Sequence, residues 1–203
     1  MLQASVIFLG TLPAIYTVVQ VFMALRGGPH LLGPDPAREL VLFQGEWAIH
    51  FLVLTLMVTP IRRLMGRVKF GPLRRTLGLF TFFYATLHFL LYIFLLLELH
   101  FMAVGQELIE RPYIAAGFLA WLLLVPLALT STRRMTKILG KFWHKLHRLI
   151  YCVALLAILH VFWLAKSSYL EAVIYGLLLL ILLSIRVVDR KDRLIRLGSK
   201  VSV

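Results

Sequence analysis

Apolar residues are concentrated in six long stretches that are separated by short polar connections. A helix that spans a bilayer needs about 20 mostly apolar residues, so each stretch predicts a membrane helix. The second stretch has only fifteen residues and reaches spanning length only if its helix extends beyond both ends. The predicted spans are Leu2 to Leu25, Trp47 to Ile61, Thr76 to Leu97, Tyr113 to Thr130, Leu149 to Ala165 and Ala172 to Ile185.

Composition supports an all-α integral membrane bundle of six transmembrane helices that forms a single domain over residues 1–203. Hydrophobic residues make up 61% of the chain and charged residues 15%, against roughly 45–50% and 25% in soluble domains. The six spans leave no room for a folded nucleotide-binding domain, and the sequence contains no G-x-G-x-x-G, P-loop or H-E-x-x-H motif. The single Cys152 excludes an internal disulfide and a covalently attached C-x-x-C-H haem.

The basic residues predict the orientation of the bundle. Eighteen of the 22 Lys and Arg residues fall in the second loop, in the fourth loop with its helix edge, and in the C-terminal tail. These are Arg62, Arg63, Arg67, Lys69, Arg74, Arg75, Arg133, Arg134, Lys137, Lys141, Lys145, Arg148, Arg186, Arg190, Lys191, Arg193, Arg196 and Lys200. Basic loops stay in the cytoplasm, so both termini are predicted to be cytoplasmic. This topology explains the net charge of +13 without a nucleic-acid partner.

Two histidines lie at matching depth on different predicted helices. By the rise of 1.5 Å per residue, His88 lies about 18 Å along the third helix and His160 about 19.5 Å along the fifth, both measured from the cytoplasmic side. Two imidazoles that face each other across a helix bundle can hold the iron of a b-type haem. The alternative is that each histidine only forms a hydrogen bond to a neighbouring helix.

The other histidines are weaker candidates. His147 lies one helix length below His160 and is a candidate ligand of a second haem, but its level on the third helix is occupied by Arg74 and Arg75. His144 or a non-histidine group is an alternative partner for His147. His50 is a spare ligand, a quinone-site residue or a residue that forms an interfacial hydrogen bond, and the last role is favoured. His30 and His100 fall in outer loops and are expected to be solvated.

Short motifs along the chain are similar to those of one family. They are Gly33-Pro34-Asp35-Pro36, Thr59-Pro60, Arg74 to Leu79, Ala85 to His88, Glu107-Leu108-Ile109, Arg111-Pro112-Tyr113, Leu129 to Thr132, Leu139-Gly140-Lys141, Leu146-His147 and Leu159-His160. In order and spacing the chain resembles the MsrQ (YedZ) family of haem-binding membrane subunits, within the ferric-reductase-like transmembrane group. The resemblance covers about residues 33 to 165, and the first and last helices match only in hydropathy.

The resemblance implies a cytochrome b of the bacterial inner membrane with one or two b-type haems. His88, His147 and His160 correspond to the haem-ligating histidines of the family, and His50 has no counterpart. Family members pass electrons to MsrP, a periplasmic molybdopterin enzyme that reduces methionine sulfoxide in oxidised proteins. Their electrons are thought to come from the quinone pool or from a cytoplasmic flavin reductase. Some members are described as binding FMN, for which no residue can be transferred.

Two other functions compete with this interpretation. A ferric reductase, or a cytochrome b with another acceptor, would share the same helices. A cofactor-free transporter would use the histidines as proton or cation sites and would need polar residues along a path; the helices offer mainly Thr55, Thr59, Thr81, Thr86 and Ser184. The outer loops carry an acidic excess, so Glu107 and Glu110 are predicted to contribute to docking of a partner with a basic patch.

Overall fold

The computed structural model describes residues 2–28, 31–64, 71–165 and 169–201, with side chains for all of these except 63, 64, 71, 101 and 187–201. This part of the chain is helical and contains no strand. The helices are α1 (Leu2–Leu25), α2 (Pro36–Leu64), α3 (Gly71–Leu91), α4 (Phe101–Glu110), α5 (Pro112–Leu129), α6 (Arg133–Leu139), α7 (Lys141–Leu146), α8 (Leu149–Leu164) and α9 (Leu170–Val201). A π-helical turn, Tyr92–Leu96, continues α3.

Within the described residues, five helical segments are long and apolar enough to cross a membrane: Leu2–Leu25, Pro36–Arg62, Pro72–Leu96, Pro112–Leu129 and Lys141–Leu164. The all-α fold and five of the six predicted spans are therefore confirmed, and the chain is a multi-pass membrane protein. The sixth predicted span, Ala172 to Ile185, is helical as part of α9. That this segment crosses the membrane, and that both termini are cytoplasmic, remain predictions.

The second span begins well before the predicted Trp47, because α2 starts at Pro36. The Asp35 carboxylate accepts a hydrogen bond of 3.1 Å from the Arg38 backbone N–H, which caps the helix. A proline in the first turn loses no intrahelical hydrogen bond. Arg38 and Glu39 dilute the apolar signal in this first part of the helix, which is why the hydropathy pattern alone missed it.

Helices α2 and α3 run antiparallel, since the start of α2 contacts the end of α3 and Thr55 lies beside Gly78. Helices α5 and α8 are paired in the same way, so the bundle contains two hairpin pairs. Helix α9 packs on α2 and α8, while α1 packs on α3. The core lies between α2, α5, α8 and α9 and is formed by Ile49, Leu52, Val53, Leu56, Ala120, Leu124, Leu127, Ile150, Val153, Ala154, Leu179 and Leu182. We call the end where α2 finishes and α8 begins the basic end, and the other the opposite end.

Helix α1 is attached to α3 through the fully buried Tyr84. The Tyr84 hydroxyl donates a hydrogen bond to the Gly10 carbonyl oxygen and accepts one of 3.2 Å from the Ala14 backbone N–H. Gly10 and Ala14 are a pair that would bond each other in a regular helix, and Pro13 lies inside the same turn. The hydroxyl therefore bridges two backbone groups of one turn of α1, in a turn that also contains a proline, a known cause of helix bending.

Some residues named from the sequence lie outside this description. These are His30, Arg67 and Lys69. The basic residues of the tail beyond Arg186 belong to α9, but their side chains are not among those described. Arg186 itself is buried, with 9% of its surface exposed, and is thus part of the helix packing as well as of the basic end.

Candidate functional site

His88 of α3 and His160 of α8 face each other near the opposite end of the bundle. Their ring centroids are 6.1 Å apart, and the two ring planes are nearly perpendicular at 83°. The sequence predicted that these two residues lie at the same depth, and the structure brings them together. Two imidazoles from different hairpins thus meet inside the bundle.

Each ring is held by a backbone carbonyl of the neighbouring helix. His88 Nδ1 lies 2.8 Å from the Val41 oxygen of α2, and His160 Nδ1 lies 2.6 Å from the Tyr113 oxygen of α5. A carbonyl oxygen can only accept, so Nδ1 must carry the proton in both rings. In a neutral imidazole the lone pair is then on Nε2, which is the nitrogen available to a metal.

A glycine lies beside each of these hydrogen bonds. A Cβ atom on Gly45 of α2 would lie 2.9 Å from Nδ1 of His88, and one on Gly117 of α5 would lie 2.7 Å from Nδ1 of His160. Such distances are shorter than ordinary van der Waals contacts, so a side chain at either position would displace the ring. Each histidine therefore rests against bare helix backbone.

The two histidine settings are equivalent. Each residue of the first hairpin's setting lies 72 positions before its counterpart in the second. The carbonyl residues are Val41 and Tyr113, the glycines are Gly45 and Gly117, and the histidines are His88 and His160. In both, the glycine follows the carbonyl residue by one helical turn. Reasoning from the sequence missed the residues at 41, 45, 113 and 117. The repeated glycine-to-histidine spacing was the signal that could have revealed the two glycines.

The geometry fits a haem held by two histidines. With metal–nitrogen bonds of about 2 Å on each side, two imidazoles that share one metal have ring centres roughly 6 Å apart, close to the observed 6.1 Å. Metal-ligating histidines commonly donate the other ring N–H to a carbonyl, as both do here. Among the described residues no group of three or more His, Cys, Asp or Glu could hold a metal ion, and a haem requires only two protein ligands.

His147 lies near the basic end, and no second histidine of the described residues is paired with it. Its Nδ1 is 3.1 Å from the carbonyl oxygen of Trp143, and its ring stacks on the Trp143 indole at 3.9 Å between centroids. Its Nε2 is buried and, within the described part of the chain, has no hydrogen-bond partner. The position 72 residues earlier is Arg75, and an arginine has no lone pair to give a metal. Within the described residues, no histidine therefore faces His147 across the bundle as His160 faces His88.

The remaining described histidines occupy structural or exposed positions. His50 Nε2 forms a 2.7 Å hydrogen bond with the Tyr175 hydroxyl of α9, which agrees with the favoured hydrogen-bonding role. His100 is exposed, as expected, and lies 3.0 Å from the Leu97 carbonyl oxygen through Nδ1. His144 is exposed and contacts the edge of Trp143, so it does not join His147 in a ligand pair.

The segment that follows α3 at the opposite end is ordered by one carboxylate. Glu107 accepts a hydrogen bond of 2.9 Å from the Tyr92 hydroxyl and forms a 3.1 Å ion pair with Arg111. Hydrogen bonding to Tyr113, and then the charge of Glu107, raise the pKa of Arg111. Only 17% of the Glu107 side chain is exposed. Its charge is therefore engaged within the chain, whereas Glu110 is exposed.

Comparison with known proteins agrees with this architecture. Residues 44–158 match the family described as ferric reductase like transmembrane component. The matched region contains His88 and His147 and ends two residues before His160. A protein of Xanthomonas euvesicatoria pv. vesicatoria named protein-methionine-sulfoxide reductase heme-binding subunit MsrQ is 44% identical over 83% of this chain and 77% of its own length.

Proteins of the same name from two other species are also similar. The protein of Xanthomonas campestris pv. campestris strain B100 is 41% identical over 94% of this chain and 91% of its own length. That of Xanthomonas oryzae pv. oryzae strain MAFF 311018 is 43% identical over 82% of this chain and 77% of its own length. The chain therefore belongs to the MsrQ family, within the ferric reductase-like transmembrane group.

Proposed function

We propose that this chain is a membrane cytochrome b that relays electrons across the bacterial inner membrane to a periplasmic methionine sulfoxide reductase of the MsrP type. The observation that carries the proposal is the pairing of His88 and His160 at 6.1 Å, each with Nδ1 at a backbone carbonyl. The heme-binding names of the relatives support the same cofactor.

In this proposal His88 and His160 would together hold the iron of one b-type haem. When bound, a haem supplies reversible one-electron chemistry at its iron. The carbonyl oxygens of Val41 and Tyr113 hold the rings in the ligating tautomer. The α2–α3 and α5–α8 hairpins keep the two ligands at a fixed separation, because the buried core between them resists rearrangement.

His147 is proposed as the ligand of a second haem near the cytoplasmic face. It is thirteen residues from His160, about 19.5 Å along an ideal helix, so it lies where an inner relay site would shorten the path through the membrane. Its buried, unpartnered Nε2 supports this role. Because the residues described offer it no second histidine, we propose His147 as the only histidine ligand of that haem.

The electron donor is proposed to be the quinone pool or a cytoplasmic flavin reductase, with FMN as a further cofactor if a flavin takes part. The chain itself is an electron-transfer subunit, and substrate reduction takes place on its partner. The partner and donor assignments rest on the family and on the MsrQ names of the relatives.

The transporter alternative is disfavoured by the hydroxyl groups that it would need. Thr55, Thr81 and Thr86 each donate a hydrogen bond to the carbonyl of their own helix four residues earlier. Ser184 donates to the carbonyl of Ile181. Hydroxyls bonded in this way satisfy their own backbone and do not line a polar path. A ferric reductase shares the histidine pair, and only the acceptor distinguishes it.

The first experiment is the visible spectrum of the detergent-purified protein, oxidised and then reduced with dithionite. We expect a b-type band that falls to the contribution of the proposed second haem in His88→Ala and in His160→Ala and is kept in full in His100→Ala, whose imidazole is exposed outside the pair. A colourless wild-type protein from haem-replete cells would refute the cytochrome. With haem established, reoxidation by a purified MsrP-type enzyme and methionine sulfoxide, rather than by ferric citrate, distinguishes the relay from a ferric reductase.

A further inference from the structure

Two glycines on neighbouring helices lie beside the paired histidines. Gly45 is in α2 and Gly117 is in α5, and each faces the ring of the histidine on the neighbouring helix. Glycine in the interior of a helix is unfavourable relative to alanine. A glycine at the same place in both hairpins therefore calls for a reason other than helix stability.

The reason lies in the hydrogen bond beside each glycine. The accepting carbonyl belongs to Val41 or Tyr113, one turn before the glycine. To reach that oxygen, the imidazole must lie over the α-carbon of the glycine one turn later. A Cβ there would lie 2.9 Å from Nδ1 and 3.1 Å from Cε1 of His88 at Gly45, and 2.7 Å and 2.9 Å from the same atoms of His160 at Gly117. The methyl group and the hydrogen bond are mutually exclusive without a shift of the ring.

We infer that Gly45 and Gly117 are positioning residues that fix the tautomer and placement of His88 and His160. The absence of a side chain lets each Nδ1–H reach its carbonyl, which leaves Nε2 as the ligating nitrogen. This inference rests on the proposed haem between the two histidines. A hydrogen bond from Nδ1–H makes Nε2 a stronger electron-pair donor to a metal. The strength of both imidazoles as ligands therefore depends on two glycines that do not contact the metal.

The test compares Gly45→Ala and Gly117→Ala with Gly78→Ala and Gly176→Ala. At both control positions the nearest atom to a new Cβ is 3.7 Å away, an ordinary contact, and both glycines are helical. The controls therefore share the gain in helix propensity without the clash. We expect each test variant to bind haem about 10- to 100-fold more weakly, as for other lost hydrogen bonds to metal ligands.

A spectroscopic readout separates positioning from general damage. In the haem that remains, loss of the hydrogen bond weakens donation to the iron, so we expect a higher midpoint potential and altered low-spin electron paramagnetic resonance values in both test variants. Unchanged affinity, potential and resonance values in folded Gly45→Ala and Gly117→Ala would overturn the inference. A wild-type protein without haem would instead refute the proposed function.

Thermal unfolding provides a second test that does not depend on haem. In haem-free protein, the loss of thermal stability caused by Gly45→Ala should arise from the clash with the His88 ring. This loss should therefore disappear when His88→Ala is also present. Gly117→Ala and His160→Ala should be coupled in the same way, whereas Gly78→Ala and His88→Ala should be additive. Additivity in the first two pairs would show that neither glycine acts through its histidine, even if a single variant folds poorly.

Discussion

The guanidinium of Arg186 on α9 donates a 2.9 Å hydrogen bond to the backbone carbonyl oxygen of Leu56 on α2. In a regular helix that oxygen would accept from residue 60, but residue 60 is a proline and has no N–H. The same guanidinium donates 3.1 Å to the Thr59 hydroxyl and 3.4 Å to the Tyr151 hydroxyl of α8. A buried cation of α9 thus satisfies a carbonyl that a proline of α2 leaves without its helical donor.

Arg186→Ala should therefore destabilise the bundle by about 1–3 kcal/mol, the usual cost of a buried group that loses its partner. Arg186→Lys should retain part of the stability, since a lysine can replace one donor but not the planar fork. The measurement is thermal unfolding in detergent, followed by circular dichroism.

A double-mutant cycle identifies the source of this effect. Pro60→Ala restores the N–H that can bond to the Leu56 oxygen within α2. In the Pro60→Ala background, Arg186→Ala should lower the thermal stability less than in the wild type, because the Leu56 carbonyl no longer depends on a donor from α9. Equal costs in both backgrounds would show that the carbonyl of Leu56 is not what Arg186 stabilises.

Tyr84→Phe should loosen α1 without disturbing the histidine pair. The change removes the hydroxyl that bridges Gly10 and Ala14 and leaves both backbone groups without that partner. We expect a loss of about 1–3 kcal/mol and faster hydrogen exchange in α1 around Pro13, with an unchanged haem spectrum. Tyr16→Phe, at a half-exposed tyrosine of the same helix, is the control. A shifted haem spectrum in Tyr84→Phe would contradict this separation of roles.

The sequence contained enough to predict the fold class, five of the spans and the meeting of His88 with His160. Hydropathy shows where helices lie, and the fixed rise per residue converts position into depth. It does not show which face of a helix meets its neighbour. The carbonyls that hold the rings are therefore invisible in the sequence, and Arg186 was counted only among the residues of the basic end. Both depend on contacts between helices that are far apart in the chain.

Neutralising the acidic residues of α4, at the opposite end, should separate docking from structure. Glu110 is exposed, whereas Glu107 is engaged with Tyr92 and Arg111. We expect Glu110→Gln to slow electron transfer to a basic partner at low salt, an effect that screening removes at high salt. Glu107→Gln also removes one negative charge, but it should in addition lower thermal stability by at most about 1 kcal/mol, since it breaks a half-exposed ion pair with Arg111. An unchanged rate for Glu110→Gln at low salt would exclude α4 from the docking surface.

His147→Ala should distinguish the two proposed haems. The residue at the equivalent position of the other hairpin is Arg75, so a haem at His147 would lack the second histidine that the His88–His160 pair provides. We therefore expect the wild-type protein to show a low-spin signal from the His88–His160 site and a separate signal from iron with one histidine ligand. The substitution should remove the second signal and lower the haem-to-protein ratio while the low-spin signal stays. If His147→Ala removes the low-spin signal instead, His147 supports the His88–His160 pair, and the proposed second haem site at His147 is wrong.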